Sequence, residues 1–203
     1  ANSNARLLGD EPFQFFEKFP SIQVAVDADR KNGIEQLLSL PEKPEVILLD
    51  DAFQHRKVKA GFYILLTSYG DLYSDDCMLP TGNLRETRSG AKRADLIVVT
   101  KCPFDLSLDK QNDIRKRLKL SVNQQLYFTF IAYDTFVYGE KQKVNINEIQ
   151  STVKVLVAGI AKPEPFFTYL KNTNDVCLSF PDHHNFTEKD ILEITKTAQN
   201  NII

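Results

Sequence analysis

The chain has 203 residues and a mass of 23.2 kDa, enough to bury a sizeable core without disulfide support. Its 25 Lys and Arg stand against 27 Asp and Glu, a net charge of −2, which argues against a polybasic nucleic-acid binder or an acidic tail. Cys77, Cys102 and Cys177 form no Cys-x-x-Cys pair and no apolar run reaches membrane-spanning length, so a zinc knuckle, a redox pair and a spanning helix are all excluded and a reducing compartment fits best.

In chain order, Ile22-Gln23-Val24-Ala25-Val26 reads as a short strand and Gly33 to Leu40 as a helix closed by Pro41. Val46-Ile47-Leu48-Leu49 reads as a buried strand running into Asp50-Asp51, Phe62 to Thr67 as a third strand, and Leu96 to Val99 as a fourth. Leu108 to Leu120 has helical spacing, with Arg115, Lys116, Arg117 and Lys119 late in it, where cations complement the helix dipole. The strands are continuous apolar runs, the pattern of a parallel sheet covered on both faces. Tyr127 to Ile131 and Phe136 to Tyr138, separated by a polar turn at Asp134, read instead as an antiparallel ribbon. Val153 to Ile160 is then a strand, Glu164 to Leu170 a helix introduced by prolines, and Val176 to Phe180 a strand. Thr187 caps a last helix, with Asp190 at the capping-box position. The expected architecture is α/β: a lobe over 1–125, a two-stranded ribbon over 126–150, and a smaller α/β lobe over 151–203.

Four clusters can carry chemistry. Asp50-Asp51-Ala52-Phe53-Gln54-His55 places two carboxylates at the C-terminal end of an expected strand, the edge where open α/β sheets bind ligands; a helix cap is the plain alternative. Gly9-Asp10-Glu11-Pro12 has Pro12 suited to the first helical position and Glu11 at or before the cap, and its acids can face a metal or accept a proton. Pro181-Asp182-His183-His184-Asn185-Phe186 follows a strand and holds two of the three histidines; neighbouring histidines point apart, so acid–base or orienting work suits them better than zinc. In Leu79-Pro80-Thr81-Gly82-Asn83-Leu84-Arg85-Glu86, a turn aims Arg85 and Glu86, and Arg suits bidentate phosphate contacts. Phe13, Phe15, Phe16 and Phe19 are expected in the core. Thr100-Lys101-Cys102-Pro103 differs at both outer positions from the guanine-reading Asn-Lys-x-Asp, which argues against GTP. The eight glycines form no Gly-x-Gly and no Gly-x-x-x-x-Gly-Lys phosphate loop, and the chain opens at Ala1 without methionine, as expected of part of a longer protein.

Taken in order, these motifs, with Ala94 to Lys101 and Ala158-Gly159-Ile160-Ala161-Lys162-Pro163 followed by Phe166-Phe167, resemble the tetraacyldisaccharide 4′-kinase family, the lipid A 4′-kinases of Gram-negative bacteria. The resemblance runs from about residue 7 to the C-terminus. Ala52 stands where the family usually has Gly. The resemblance implies a P-loop-kinase-like, mostly parallel sheet with helices on both faces. It also implies transfer of the γ-phosphoryl of ATP, with Mg2+, to the 4′-hydroxyl of a tetraacyl glucosamine disaccharide 1-phosphate. On the matched positions, Asp10 and His183 are the implied catalytic pair, Glu11, Asp50 and Asp51 the implied magnesium ligands, and Gln54, His55 and Arg85 candidates for binding substrate or nucleotide.

The family carries its P-loop upstream of Gly-Asp-Glu-Pro, so this chain alone is expected to be inactive. The implied partners are the lipid acceptor, ATP and, through the N-terminal part, a membrane surface, with no nucleic acid. The implied location is the cytoplasmic face of the bacterial inner membrane. The rival readings are a metal-dependent phosphohydrolase using Asp50, Asp51 and the histidines, and a non-catalytic lobe that binds lipid or a partner.

Overall fold

The computed structural model of the chain describes residues 8–139, 142–199 and 201–202; residue 7, where the resemblance begins, lies outside them. The chain forms two compact units, Ala1–Ile131 and Ala132–Ile203. Among the described residues no helix is long and apolar enough to cross a membrane.

The first unit opens with helix α1 (Asp10–Lys18), capped by Gly9 at φ 88°, a conformation that side chains with a Cβ rarely adopt. That turn starts the helix earlier than Pro12 suggests. Asp10 and Glu11 therefore occupy its first turn, where carboxylates complement the dipole. The expectation that the nearby phenylalanines are core is not met: α1 buries no residue, and Phe15, Phe16 and Phe19 are exposed. Helix α2 (Arg30–Leu38) likewise begins ahead of Gly33, because the Asp29 carboxylate accepts the Lys31 N–H at 3.0 Å and caps it.

Strands β1 (Ile64–Ser68), β2 (Leu96–Thr100) and β3 (Gln125–Phe128) form a parallel sheet in the order β1-β2-β3. Residues 22–26 and 46–49 adopt no strand. An extended run needs a neighbour for its backbone groups, and no described segment pairs with either, which leaves Leu48 87% exposed. The core lies where the sheet meets helix α3 (Leu108–Leu118): Leu72, Ile97, Val99, Ile114 and Leu118 are all buried. Burying each such side chain stabilises by about 1.5–3 kcal/mol. Lys119 ends α3 in the left-handed region at φ 50°.

The ribbon expected over 126–150 differs from the sequence reading. Leu126 to Phe128 joins β2 in parallel, and the antiparallel pair is β4 (Phe136–Tyr138) with β5 (Lys143–Asn145). An apolar run of strand length carries no label for its partner, and here the parallel sheet took it. Helix α4 (Ile146–Ser151), strand β6 (Val155–Ala158), helix α5 (Glu164–Leu170), strand β7 (Val176–Ser179) and helix α6 (Glu188–Ala198) follow, with β6 and β7 parallel.

Candidate functional site

In the first unit, two loops carry most of the expected site residues. The 50–56 loop turns tightly: the Asp51 N–H donates to the Asp50 carboxylate at 3.0 Å, and the His55 N–H to the Ala52 carbonyl at 2.9 Å. Asp51 sits at φ 42°, in the sparsely populated left-handed region. Gln54 is exposed, and His55 is half-buried, with an Nδ1 that is buried and makes no hydrogen bond. Such an atom costs free energy unless something pairs with it.

The second loop is built by Asp76, whose carboxylate accepts the Cys77 N–H at 2.7 Å and the Asn83 N–H at 3.0 Å. Gly82 is required there, because a Cβ would collide with the Asp76 carboxylate and the Cys77 backbone. The loop carries Arg85 to Asp51, Nη1 to Oδ2 at 3.2 Å. Both side chains are largely exposed, so the pair is worth no more than about 1 kcal/mol; it brings the loops together without locking them. Glu86 pairs instead with Arg93 and Arg56, and the Arg93 guanidinium, chiefly, holds its carboxyl below the ordinary range.

Asp10 and Glu11 sit at the start of α1, where backbone N–H groups lack intrahelical acceptors. Among the described residues no three His, Cys, Asp or Glu side chains gather as a metal site, so Glu11, Asp50 and Asp51 do not form a closed cation cage.

His183 belongs to the second unit and sits at φ 53°. Its Nε2 lies 3.9 Å from the Asp182 carboxylate. The loop around it is held by its neighbour. The His184 ring stacks on Phe180 at 4.9 Å and meets Phe186 edge-on at 5.1 Å, and its Nε2 contacts Asp190 at 3.0 Å. Asp190 also accepts the Thr187 N–H at 2.8 Å and the Thr187 hydroxyl at 2.7 Å. These donors, the Thr187 backbone first, lower its pKa to about 2. An ionised carboxylate only accepts, so the His184 Nε2 carries the proton.

Sequence reading missed Arg93 and Asp76 as organisers, whereas the orienting role it offered the 183–184 histidines fits His184. The capping box was a signal for Asp190, but nothing local marks Arg93, whose partner carbonyl lies 40 residues away.

A profile of the family described as tetraacyldisaccharide-1-P 4′-kinase matches residues 1–203. A tetraacyldisaccharide 4′-kinase of Flavobacterium johnsoniae is 66% identical over 197 residues, covering 97% of this chain and 58% of that protein. One from Flavobacterium psychrophilum is 63% identical, covering 99% and 59%, and one from Bacteroides thetaiotaomicron 49% identical, covering 95% and 54%. The chain thus spans little more than half the length of these relatives. Among solved structures, LpxK from Aquifex aeolicus in complex with ATP has a TM-score of 0.68 at 25% identity, covering 99% of this chain and 64% of that one.

Proposed function

We infer the activity from a premise that the matches establish: the chain belongs to the tetraacyldisaccharide-1-P 4′-kinase family. The protein that contains it transfers the γ-phosphoryl of ATP to the 4′-hydroxyl of a tetraacyl glucosamine disaccharide 1-phosphate, a step of lipid A assembly. The observation that carries this reading is the 66% identity across nearly the whole chain to a relative bearing that name. A lipid acceptor and a nucleotide donor together put the reaction at the cytoplasmic face of the inner membrane.

A sugar hydroxyl is a weak nucleophile, and phosphoryl transfer asks the protein mainly for positioning and charge neutralisation. Asp10 accepts the hydroxyl proton, and His183 serves the same step as the second catalytic group. Two features support these roles: both residues match the family motifs, and His183 is held in a strained backbone conformation, as functional residues often are. The 50–56 loop offers hard, exposed oxygen donors in Asp50 and Asp51. That donor set fits Mg2+, which takes one or two carboxylates alongside phosphate oxygens and water; Glu11 is a further candidate ligand only by its match to the family motif. Magnesium, once bound, neutralises charge on the phosphate oxygens. Gln54, His55 and Arg85 bind phosphate or nucleotide, and the unpaired Nδ1 of His55 supports a ligand contact there.

The test is a double-mutant cycle in the full-length protein. Asp10→Ala and His183→Ala should each lower kcat by roughly 10²–10⁴, and the double mutant should cost little more than either. Simple additivity sinks the pairing. Phosphate release from phosphomonoesters without nucleotide would overturn the kinase reading itself.

A further inference from the structure

Arg93 closes the 3-10 helix Arg88–Arg93 and reaches both loops of the candidate site. Its Nη1 and Nη2 donate to the two oxygens of Glu86 at 2.9 and 2.7 Å. Nη2 also donates to the Phe53 carbonyl at 3.0 Å, and the guanidinium lies 4.7 Å from the centre of the Phe53 ring. Glu86 in turn accepts from Arg56 at 2.9 Å. The Phe53 ring packs edge-on against Tyr63 at 6.2 Å, and the Tyr63 N–H donates to Asp95 at 2.8 Å, which ties the cluster to the start of β1 and β2. Gly90 makes the close approach possible, since a Cβ there would lie 2.5 Å from the Glu86 carboxylate.

Phe53 and Glu86, which Arg93 holds, and Arg56, which Glu86 holds, are each adjacent in sequence to a site residue. Phe53 precedes Gln54, Arg56 follows His55, and Glu86 follows Arg85. The exposed Asp51–Arg85 pair is too weak to fix this geometry by itself. The Arg93–Glu86 fork is the most sheltered ion pair of the two loops, with side chains 28% and 19% exposed, and it is bidentate, the stronger and more directional arrangement. We infer that Arg93 is a positioning residue: through Glu86 and the Phe53 carbonyl it sets the 50–56 loop so that Asp50 and Asp51 present their carboxylates to magnesium. The inference rests on the activity proposed above.

Arginine is needed because a planar fork serves three acceptor atoms and stacks on a ring, which an ammonium cannot do. Two variants of the full-length protein, Arg93→Lys and Arg93→Gln, test it with two readouts. In Arg93→Gln, amide exchange over 50–56 should accelerate while β1 and β2 keep their protection. The magnesium concentration for half-maximal rate should rise by about 10–100-fold, as when outer-shell partners are lost. Arg93→Lys should fall between this variant and wild type on both readouts. Unchanged loop exchange overturns the inference. Faster loop exchange with unchanged magnesium dependence also overturns it, because the clamp would then serve stability alone. So does exchange that rises equally across the sheet with a lowered Tm. If the wild-type protein phosphorylates no acceptor, the proposed activity falls, and loop exchange alone decides whether the clamp exists.

Discussion

Lys154 and Asp175 form an ion pair of 2.5 Å with side chains only 2% and 0% exposed. Burial pushes the Asp175 carboxyl up, but the Lys154 ammonium and the N–H groups of Asn172 and Lys154 together hold it below its ordinary value. Lys154→Met therefore strands a buried carboxylate, and the expected loss is about 3–5 kcal/mol by urea unfolding at neutral pH. In that variant burial acts without the ammonium, so the folded-state pKa of Asp175 rises above its unfolded value. The folded state then binds more protons, and the destabilisation should shrink as pH falls. Adding Asp175→Asn should recover part of the loss. A Lys154→Met protein as stable as wild type would show that the pair is not a structural anchor. Nothing in the sequence marks this pair, whose members lie 21 residues apart. The same holds for the candidate site. Asp50, Asp51, Arg85 and His183 were legible as residue types beside expected strands and turns. That Asp51 meets Arg85 across 34 residues, or that Asp51 and His183 take positive φ, depends on tertiary contacts that no local pattern encodes.

Helix α6 was legible down to its cap, because a capping box is written in residues three apart. Thr187 and Asp190 satisfy each other's backbone N–H groups as that motif requires. Thr187→Ala should lower stability by about 1 kcal/mol, and a loss near zero by chemical denaturation would show that the cap is redundant. Asp190, with its folded pKa lowered to about 2, contributes stability that is present above the ordinary carboxylate value and is lost as pH falls from about 4 to about 2. Asp190→Asn should flatten that part of the pH–stability curve, and an identical curve would contradict the assignment. Parallel strands β1, β2, β6 and β7 were legible for a related reason: their apolar runs are continuous and are bounded by turn residues. Residues 22–26 and 46–49 have the same pattern and form no strand. Apolar content reports a preference for burial, whereas a strand also needs a hydrogen-bonding neighbour, and pairing is a property of the sheet rather than of the segment.

The surface of the first unit carries the consequence. Among the described residues β1 is an outer strand of its sheet and leaves Ile64 50% and Leu66 63% exposed. The 46–49 run adds Val46 and Leu48, both largely exposed. An unpaired strand edge and exposed apolar side chains each favour association between molecules, and a net charge of only −2 gives little repulsion to oppose it. The 203-residue chain by itself should therefore bind a hydrophobic dye and self-associate on sedimentation. Leu48→Glu should weaken both effects. It should leave the far-ultraviolet circular dichroism unchanged, because Leu48 lies outside every helix and strand and packs in no core. A wild-type chain that sediments as a monomer without binding dye would show that this surface is closed in solution. A Leu48→Glu chain that loses its secondary structure would show that residues 46–49 support the fold after all.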